Sequence, residues 1–230
     1  MDLKIHEVAR LLQVDGDEVA RWIREKGLPA HELHDQFHIN SVELQEWALA
    51  HGVRFPPELM AVNRAAAGPA ADLVAALERG GMHRDVAGTN RDEVLAAVVK
   101  LPGVPAAIDR GLLLELLRAR EMLASTGLGG GIAVPHPRSP IVLDVAAPPT
   151  MLLCFLRQPV DFGAIDGRPV WALFLLLSPT VPDHLRMLSQ LSYALHDTPV
   201  RSLLERRAPL DALLARLAEL PAMAPGSRKR

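Results

Sequence analysis

His136 stands between Pro135 and Pro137. Two prolines fix the local backbone, remove two N–H donors and exclude a helix, so this imidazole is carried on a stiff loop. Its ordinary pKa of about 6.5 leaves a neutral ring available near neutral pH. A free ring nitrogen can attack phosphorus and give a phosphoramidate able to pass the group onward. Just upstream, Gly127, Gly129, Gly130 and Gly131 permit a backbone whose N–H groups converge on an anion. No Gly-Lys-Ser/Thr follows them, so the stretch is not a nucleotide-type phosphate loop. The competing reading is an ordinary glycine-rich turn with a surface histidine, because glycine and proline punctuate loops of every kind.

A second histidine follows an apolar run. Pro182 and Asp183 read as a helix start, which places His184 in the first turn. There the free N–H groups and the helix dipole attract negative charge by about 0.3–1 kcal/mol. His184 can then bond to a phosphoryl group carried elsewhere; the alternative is a histidine exposed to water near a helix cap. Cys154 lies inside MLLCFL, residues 151–156, and reads as a buried core cysteine rather than a nucleophile. Being the single cysteine, it excludes an intramolecular disulfide framework and a cysteine-cluster zinc site. Trp171 and Phe174 also read as core.

These residues need elements to hold them. RDEVLAAVVKL (91–101) and LLLELLRAREML (112–123) are amphipathic helices, and DHLRMLSQLSYAL (183–195) is helical again. MLLCFL and VWALFLLL (170–177) are continuous apolar runs suited to strands buried on both faces, which requires helices on both faces and an α/β domain. Toward the N-terminus, Val8, Leu11 and Leu12 fall at helical spacing, as do Val19, Trp22 and Ile23. A tight turn with Gly16 separates the two, and Leu28 and Pro29 stop the second helix. HELHDQFHIN (31–40) alternates around a polar tip, and Asn40 or Ser41 can cap a third helix whose Leu44, Trp47 and Ala48 share a face.

The 230 residues carry 25 basic and 27 acidic side chains and are 49% hydrophobic, enough for a real core and against wholesale disorder. The longest apolar run, Val170–Leu177, is far short of the roughly 20 residues of a membrane helix. Charges scattered through the first twelve residues do not suit a signal peptide. The expectation is a cytoplasmic protein without membrane insertion. Charge is uneven: residues 1–53 hold five basic and ten acidic side chains, while the remainder is net positive. The stretch between, rich in proline, alanine and glycine, reads as a linker over 53–70. Residues 221–230 read as a flexible tail.

STGLGGGIAVPHPR (125–138), preceded by Arg120 and Glu121 and followed by VDFGAIDGRPVWALFLLLSP (160–179) and DHLRMLSQLSYAL, resembles the enzyme IIA domain of the phosphoenolpyruvate-dependent phosphotransferase system. The mannitol/fructose type, and within it the nitrogen-regulatory branch, is the closest in pattern. The resemblance spans about 71–220 in separate blocks in the right order. It implies a three-layer α/β/α domain with a mixed sheet. By position it makes His136 the phosphoryl acceptor, Arg120 the active-site arginine whose planar fork suits phosphate oxygens, and His184 the second active-site histidine. It also implies an HPr-like phosphohistidine carrier as donor, with no cofactor and no metal. Arg138 is a further candidate facing the phosphate.

KIHEVARLLQVDGDEVARWIREKGLPA (4–30), the hairpin and SVELQEWALAHG (41–52) resemble a small winged helix-turn-helix of the excisionase or MerR type, spanning residues 1–52. In that family the second helix enters the major groove. The candidate DNA contacts are Arg21, Arg24 and Lys26. The helix opens instead on Asp15, Gly16, Asp17 and Glu18, and phosphate contacts need cations, so docking to protein or homodimer formation competes with DNA binding. The expectation is a regulatory phosphocarrier whose His136 phosphorylation state controls DNA or protein binding, a component of a phosphotransferase chain rather than a stand-alone turnover enzyme. The alternatives are a sugar relay passing the group to a separate IIB protein, and a DNA-binding or scaffold protein with an inactive IIA domain.

Overall fold

The computed structural model describes residues 2–33, 36–53, 72–137 and 147–221. Apart from one boundary residue each, the expected linker and tail lie outside them, and so does Arg138.

The N-terminal unit runs β1 (Asp2–Lys4), α1 (Ile5–Leu12), α2 (Gly16–Glu25), β2 (His31–Leu33), β3 (Gln36–Asn40) and α3 (Ser41–Ala50). Local chemistry sets the helix starts: Glu7 Oε2 accepts the Lys4 N–H at 2.8 Å, and Asp15 Oδ1 accepts the Glu18 N–H at 2.6 Å, satisfying amides that a helix start leaves unpaired. The strands pair antiparallel in the order β1-β3-β2, with Leu3 opposite Ile39. Val8, Leu12, Val19, Trp22, Leu28, Leu44, Trp47 and Ala48 close over that sheet as a small core. Trp22 and Trp47 meet at 5.0 Å between ring centroids, and the Trp47 indole N–H reaches the Lys26 carbonyl at 2.8 Å. The helix faces follow the apolar spacing; β1 was not expected.

The remaining elements are α4 (Leu73–Gly80), β4 (Met82–Val86), α5 (Arg91–Val98), α6 (Arg110–Leu123), β5 (Gly127–Gly129), β6 (Ile132–Ala133), β7 (Thr150–Val160), β8 (Val170–Leu177), α7 (Val181–Leu195), α8 (Thr198–Glu205) and α9 (Leu210–Ala218). The sheet order is β4-β7-β8-β6-β5. It is mixed: β4 runs parallel to β7 and β6 parallel to β8, whereas β7–β8 and β5–β6 are antiparallel. Alternation along the two apolar runs feeds two cores. Met151, Leu153, Phe155, Ala172, Phe174 and Leu176 face the helices α4, α7, α8 and α9. Leu152, Cys154, Leu156, Leu173, Leu175 and Leu177 face α5 and α6. Each large side chain so removed from water contributes about 1.5–3 kcal/mol, and helices on both faces make the α/β layering expected from the apolar strands.

The helix α3 belongs to both cores. Leu44, Trp47 and Ala48 point into the N-terminal cluster, while Leu49 joins the core under α7. On that second face Ser189 of α7 donates to Gln45 Oε1 at 3.2 Å.

Candidate active site

Three elements of the large sheet converge on one point, and each brings one side chain. The last turn of α6 supplies Arg120. The segment after β6 supplies His136, held to the sheet by the bond from the Leu176 N–H to the Pro135 carbonyl at 3.0 Å and from the Val134 N–H to the Thr126 carbonyl at 3.0 Å. The first turn of α7, capped by Thr180 on the Asp183 N–H, supplies His184. The three residues expected from separate stretches of sequence are brought together: Arg120 Nε lies 3.3 Å from His136 Nε2, and the two imidazole centroids are 5.0 Å apart. His136 is 3% exposed and His184 6%.

The tautomer of His136 follows from its neighbours. Nδ1–H donates to the Val134 carbonyl at 2.7 Å, and a carbonyl can only accept. The neutral ring therefore has its lone pair on Nε2, the nitrogen that faces Arg120, and the contact of that nitrogen with the Glu46 carboxylate is a hydrogen bond only when Nε2 carries a proton. The guanidinium is itself fixed: Nη1 donates to the Ala124 carbonyl at 2.8 Å. The neighbouring Glu121, buried, accepts the Thr126 N–H at 3.0 Å and its hydroxyl at 2.6 Å, with Arg91 3.6 Å away. That carboxylate locks residues 124–126 beside the site. Burial holds His184 below the ordinary histidine pKa despite the nearby Glu46 carboxylate, so the ring is kept neutral.

A fourth residue occupies the point of convergence, and it comes from the N-terminal unit. Glu46 of α3 accepts from Arg120 Nη2 on Oε2 at 2.8 Å and meets His136 Nε2 through Oε1 at 2.9 Å; His184 Nε2 is 3.7 Å from the same oxygen. Burial alone would raise its pKa. Hydrogen bonds from His136 and His184 and the positive charges of His136 and Arg120 outweigh that and hold the carboxyl far below the usual carboxylate range. Spacing along α3 could not single out Glu46, because Leu44, Trp47 and Ala48 mark the opposite face as the buried one. The one signal was Leu49, an apolar residue that lies off that face. Glu46, His136 and His184 offer ligand atoms within 4.8 Å of one another, a set that can hold a cation. Arg120 already supplies a positive charge to the same carboxylate and the same ring, which disfavours a second one there. A cavity of about 360 Å³ opens beside the site, lined by Trp47, His51, Leu123, Leu128 and Ile165.

The glycine stretch departs from the anion cradle expected of it. Gly127 and Gly129 lie in β5, and Gly130 and Gly131 turn it into β6 as a hairpin. The Gly130 N–H is given to Asp166 Oδ2 at 2.8 Å, so a carboxylate already takes that amide. The glycines serve instead to make a turn of positive φ at 129, 130 and 131 packed against Trp171. Of the candidate DNA contacts, Arg21 on α2 is ion-paired with Glu18, while Arg24 and Lys26 are exposed at the end of that helix. Cys154 is buried in the sheet, and burial pushes its thiol pKa up to about 12. Among the described residues, no helix is long and apolar enough to cross a membrane.

Comparison with known proteins bears on this arrangement. The nitrogen regulatory protein of Pseudomonas aeruginosa is 38% identical over 133 residues, 56% of this chain and 83% of that protein. The fructose-specific EIIA component of the phosphotransferase system of Haloferax volcanii is 35% identical over 116 residues, 48% of this chain and 73% of that protein. Among solved structures, the nitrogen regulatory protein IIA-Ntr of Neisseria meningitidis aligns with a TM-score of 0.52 at 30% identity, over 60% of this chain and 93% of that one. The profile of the family described as phosphoenolpyruvate-dependent sugar phosphotransferase system, EIIA 2, matches residues 77–219. That span takes in Arg120, His136 and His184 and leaves out Glu46. Covering more than half of its length, the match places the chain in the EIIA 2 family of the phosphoenolpyruvate-dependent sugar phosphotransferase system.

Proposed function

We propose that the chain is a regulatory phosphocarrier in which His136 Nε2 takes a phosphoryl group from an HPr-like phosphohistidine protein. The observation that carries this reading is the convergence of a buried imidazole, oriented through Nδ1 so that Nε2 faces the site, with a fixed guanidinium and a second buried histidine. The Nε2 electron pair forms the new P–N bond in line with the bond to the donor imidazole, which breaks and returns its pair to the donor nitrogen. No oxidant and no net proton is required. Charge on the equatorial oxygens is met by Arg120, whose planar fork suits two oxygens at once, and by His184, so positioning and electrostatics carry the reaction. The Val134 carbonyl holds the ring orientation throughout.

The N-terminal unit then reads out the phosphorylation state by binding DNA or protein. The pair α1–α2 with a three-stranded sheet supports the excisionase-like winged helix-turn-helix reading of residues 1–52, with 71–220 as the IIA domain. The net negative charge of the unit and the ion pair that occupies Arg21 favour a protein partner over DNA, for which Arg24 and Lys26 are the remaining candidate contacts. Similarity to nitrogen regulatory proteins supports the regulatory role; the fructose-specific relative supports the alternative of a relay to a separate IIB protein.

Intact-mass spectrometry after mixing with a phosphorylated HPr-type carrier tests the carrier half. One acid-labile phosphoryl adduct, absent from His136→Ala, is expected. Absence of any adduct with several such carriers would overturn the reading. Rapid onward transfer to a IIB protein would favour the relay.

A further inference from the structure

We propose that Glu46 is a built-in substitute for the phosphoryl group, so that docking of α3 and phosphorylation of His136 exclude each other. The inference deepens the phosphocarrier reading and rests on it. Its observations are independent of the family match, because Glu46 lies outside the matched residues.

The argument begins with geometry. An acceptor nitrogen must have a clear line along its lone pair, and on His136 that line leaves Nε2. Glu46 Oε1 stands 2.9 Å from this atom, in the position a phosphorus atom and its oxygens must enter. The second oxygen, Oε2, takes Arg120 Nη2 at 2.8 Å, the hydrogen bond that a phosphate oxygen needs. A carboxylate thus presents two oxygens to the groups that would receive two oxygens of a phosphoryl group. Its side chain is 11% exposed, and a charge so buried persists only when paired. Here every group that pairs it belongs to the acceptor site.

The rest of α3 is built to bring Glu46 there. Leu49 enters the core beneath α7, and Gln45 accepts from the Ser189 hydroxyl at 3.2 Å. These residues sit one position before and three after Glu46, on the helix face turned away from the N-terminal unit's own core. Docking therefore costs that unit none of its internal packing. A phosphoryl group on Nε2 brings close to two negative charges to the spot where Glu46 carries one. Both cannot share a single guanidinium and the same volume. Phosphorylation must expel Glu46, and with it the contacts of Gln45 and Leu49, which frees the α3 face of the N-terminal unit. Conversely, the docked state withholds His136 from the donor and lowers the apparent rate of labelling by the fraction of molecules that are docked.

Three readouts on the full chain test this. Against a phosphorylated HPr-type carrier, Glu46→Ala is expected to label about tenfold faster than the parent chain, with Glu46→Gln intermediate and serving in place of Ala should that variant fold poorly. Diethylpyrocarbonate, which acylates an accessible neutral imidazole nitrogen, should modify His136 faster in both variants; peptide mapping reads this without any carrier protein. Hydrogen exchange over residues 41–50 should rise in the labelled parent chain. Equal labelling rates, equal modification of His136 and unchanged exchange over 41–50 after labelling would overturn the proposal while leaving the phosphocarrier reading intact. Failure to label any of the three proteins, with His136 modified faster in the variants, would overturn the carrier reading and leave Glu46 as a closing residue.

Discussion

The pH response of single side chains in this site has a definite sign. His184 is buried against His136 with Glu46 Oε1 3.7 Å from its Nε2, and its pKa falls below the ordinary 6.5 chiefly because burial penalises the charged ring. Above that value neither the folded nor the unfolded chain binds the proton, and the stabilisation is complete. As pH falls below 6.5 the unfolded chain takes up a proton that the folded one refuses. Stability then drops with a slope of at most one proton, about 1.4 kcal/mol per pH unit, until the folded-state pKa is reached. Glu46 acts in the same direction but in a separate window. Its depressed pKa makes its contribution complete above the ordinary 4.5 and lost below it. Urea unfolding at pH 7.5, 6.5 and 5.5 should show stability falling for the parent chain and a flatter profile for His184→Asn. Parallel profiles would show that the ring is not kept neutral. Cys154 takes no part in this range, its thiol being raised to about 12 by burial in the sheet.

At the scale of elements, the β5–β6 hairpin shows what a glycine pattern does and does not say. Gly131 has φ 78°, and a Cβ there would overlap Cδ1 and Nε1 of Trp171. That indole has little room to move: its ring stacks on Phe155 at 6.1 Å with 4° between planes, and its N–H meets the Gly130 carbonyl at 3.3 Å. Gly131→Ala combines a left-handed backbone penalty of about 1–2 kcal/mol with this overlap, for a loss of about 2–4 kcal/mol. Thermal unfolding checks it, with Gly167→Ala, at φ 65° but with nothing within 4 Å of its Cβ, isolating the backbone part. A loss at Gly131 no larger than at Gly167 would mean the indole gives way. The glycines were legible as a turn because permissive backbone is a local property. Where their N–H groups point depends on Asp166, thirty-six residues on from Gly130, and no local pattern carries that. The same division runs through the chain. The burial of β7 and β8 on both faces was readable from their continuous apolar runs, and the Val19/Trp22 face of α2 from apolar periodicity. The strands β1 and β4 were not: DLK is too short to show a period, and MHRDV is mostly polar, as an edge strand can be. His136, Arg120 and His184 were legible because their surrounding motif is distinctive. Glu46 was hidden because its partners lie 74 to 138 residues away and its own helix points its obvious apolar face elsewhere.

For the whole molecule, the unequal size of the cores and their one shared helix dictate an order of opening. The N-terminal unit of about fifty residues encloses a small cluster, a size at which a hydrophobic core is marginal. The large sheet is buried on both faces by two clusters that each draw on many long apolar side chains. Local opening free energies follow buried apolar contact and bonded backbone, so the two regions should not exchange amide hydrogens at one rate. The helix α3 is intermediate by construction. It shares the small core through Leu44, Trp47 and Ala48, and it is also held by Leu49, by the Gln45–Ser189 bond and by the ion pair of Glu46 with Arg120. Opposite net charge on the N-terminal segment and on the remainder adds an attraction that salt screens at the surface but weakly at the buried pair. Native-state hydrogen exchange should therefore rank the segments: residues 5–12 and 16–25 fastest, 41–50 slower, and 151–156 with 172–177 slowest, with a spread of roughly tenfold or more between the extremes. Uniform protection across all five segments would mean that the N-terminal unit and the sheet unfold as one cooperative body. Protection of 41–50 no greater than that of 5–12 would mean that the contacts of α3 with α7 and Arg120 add nothing to its stability in solution.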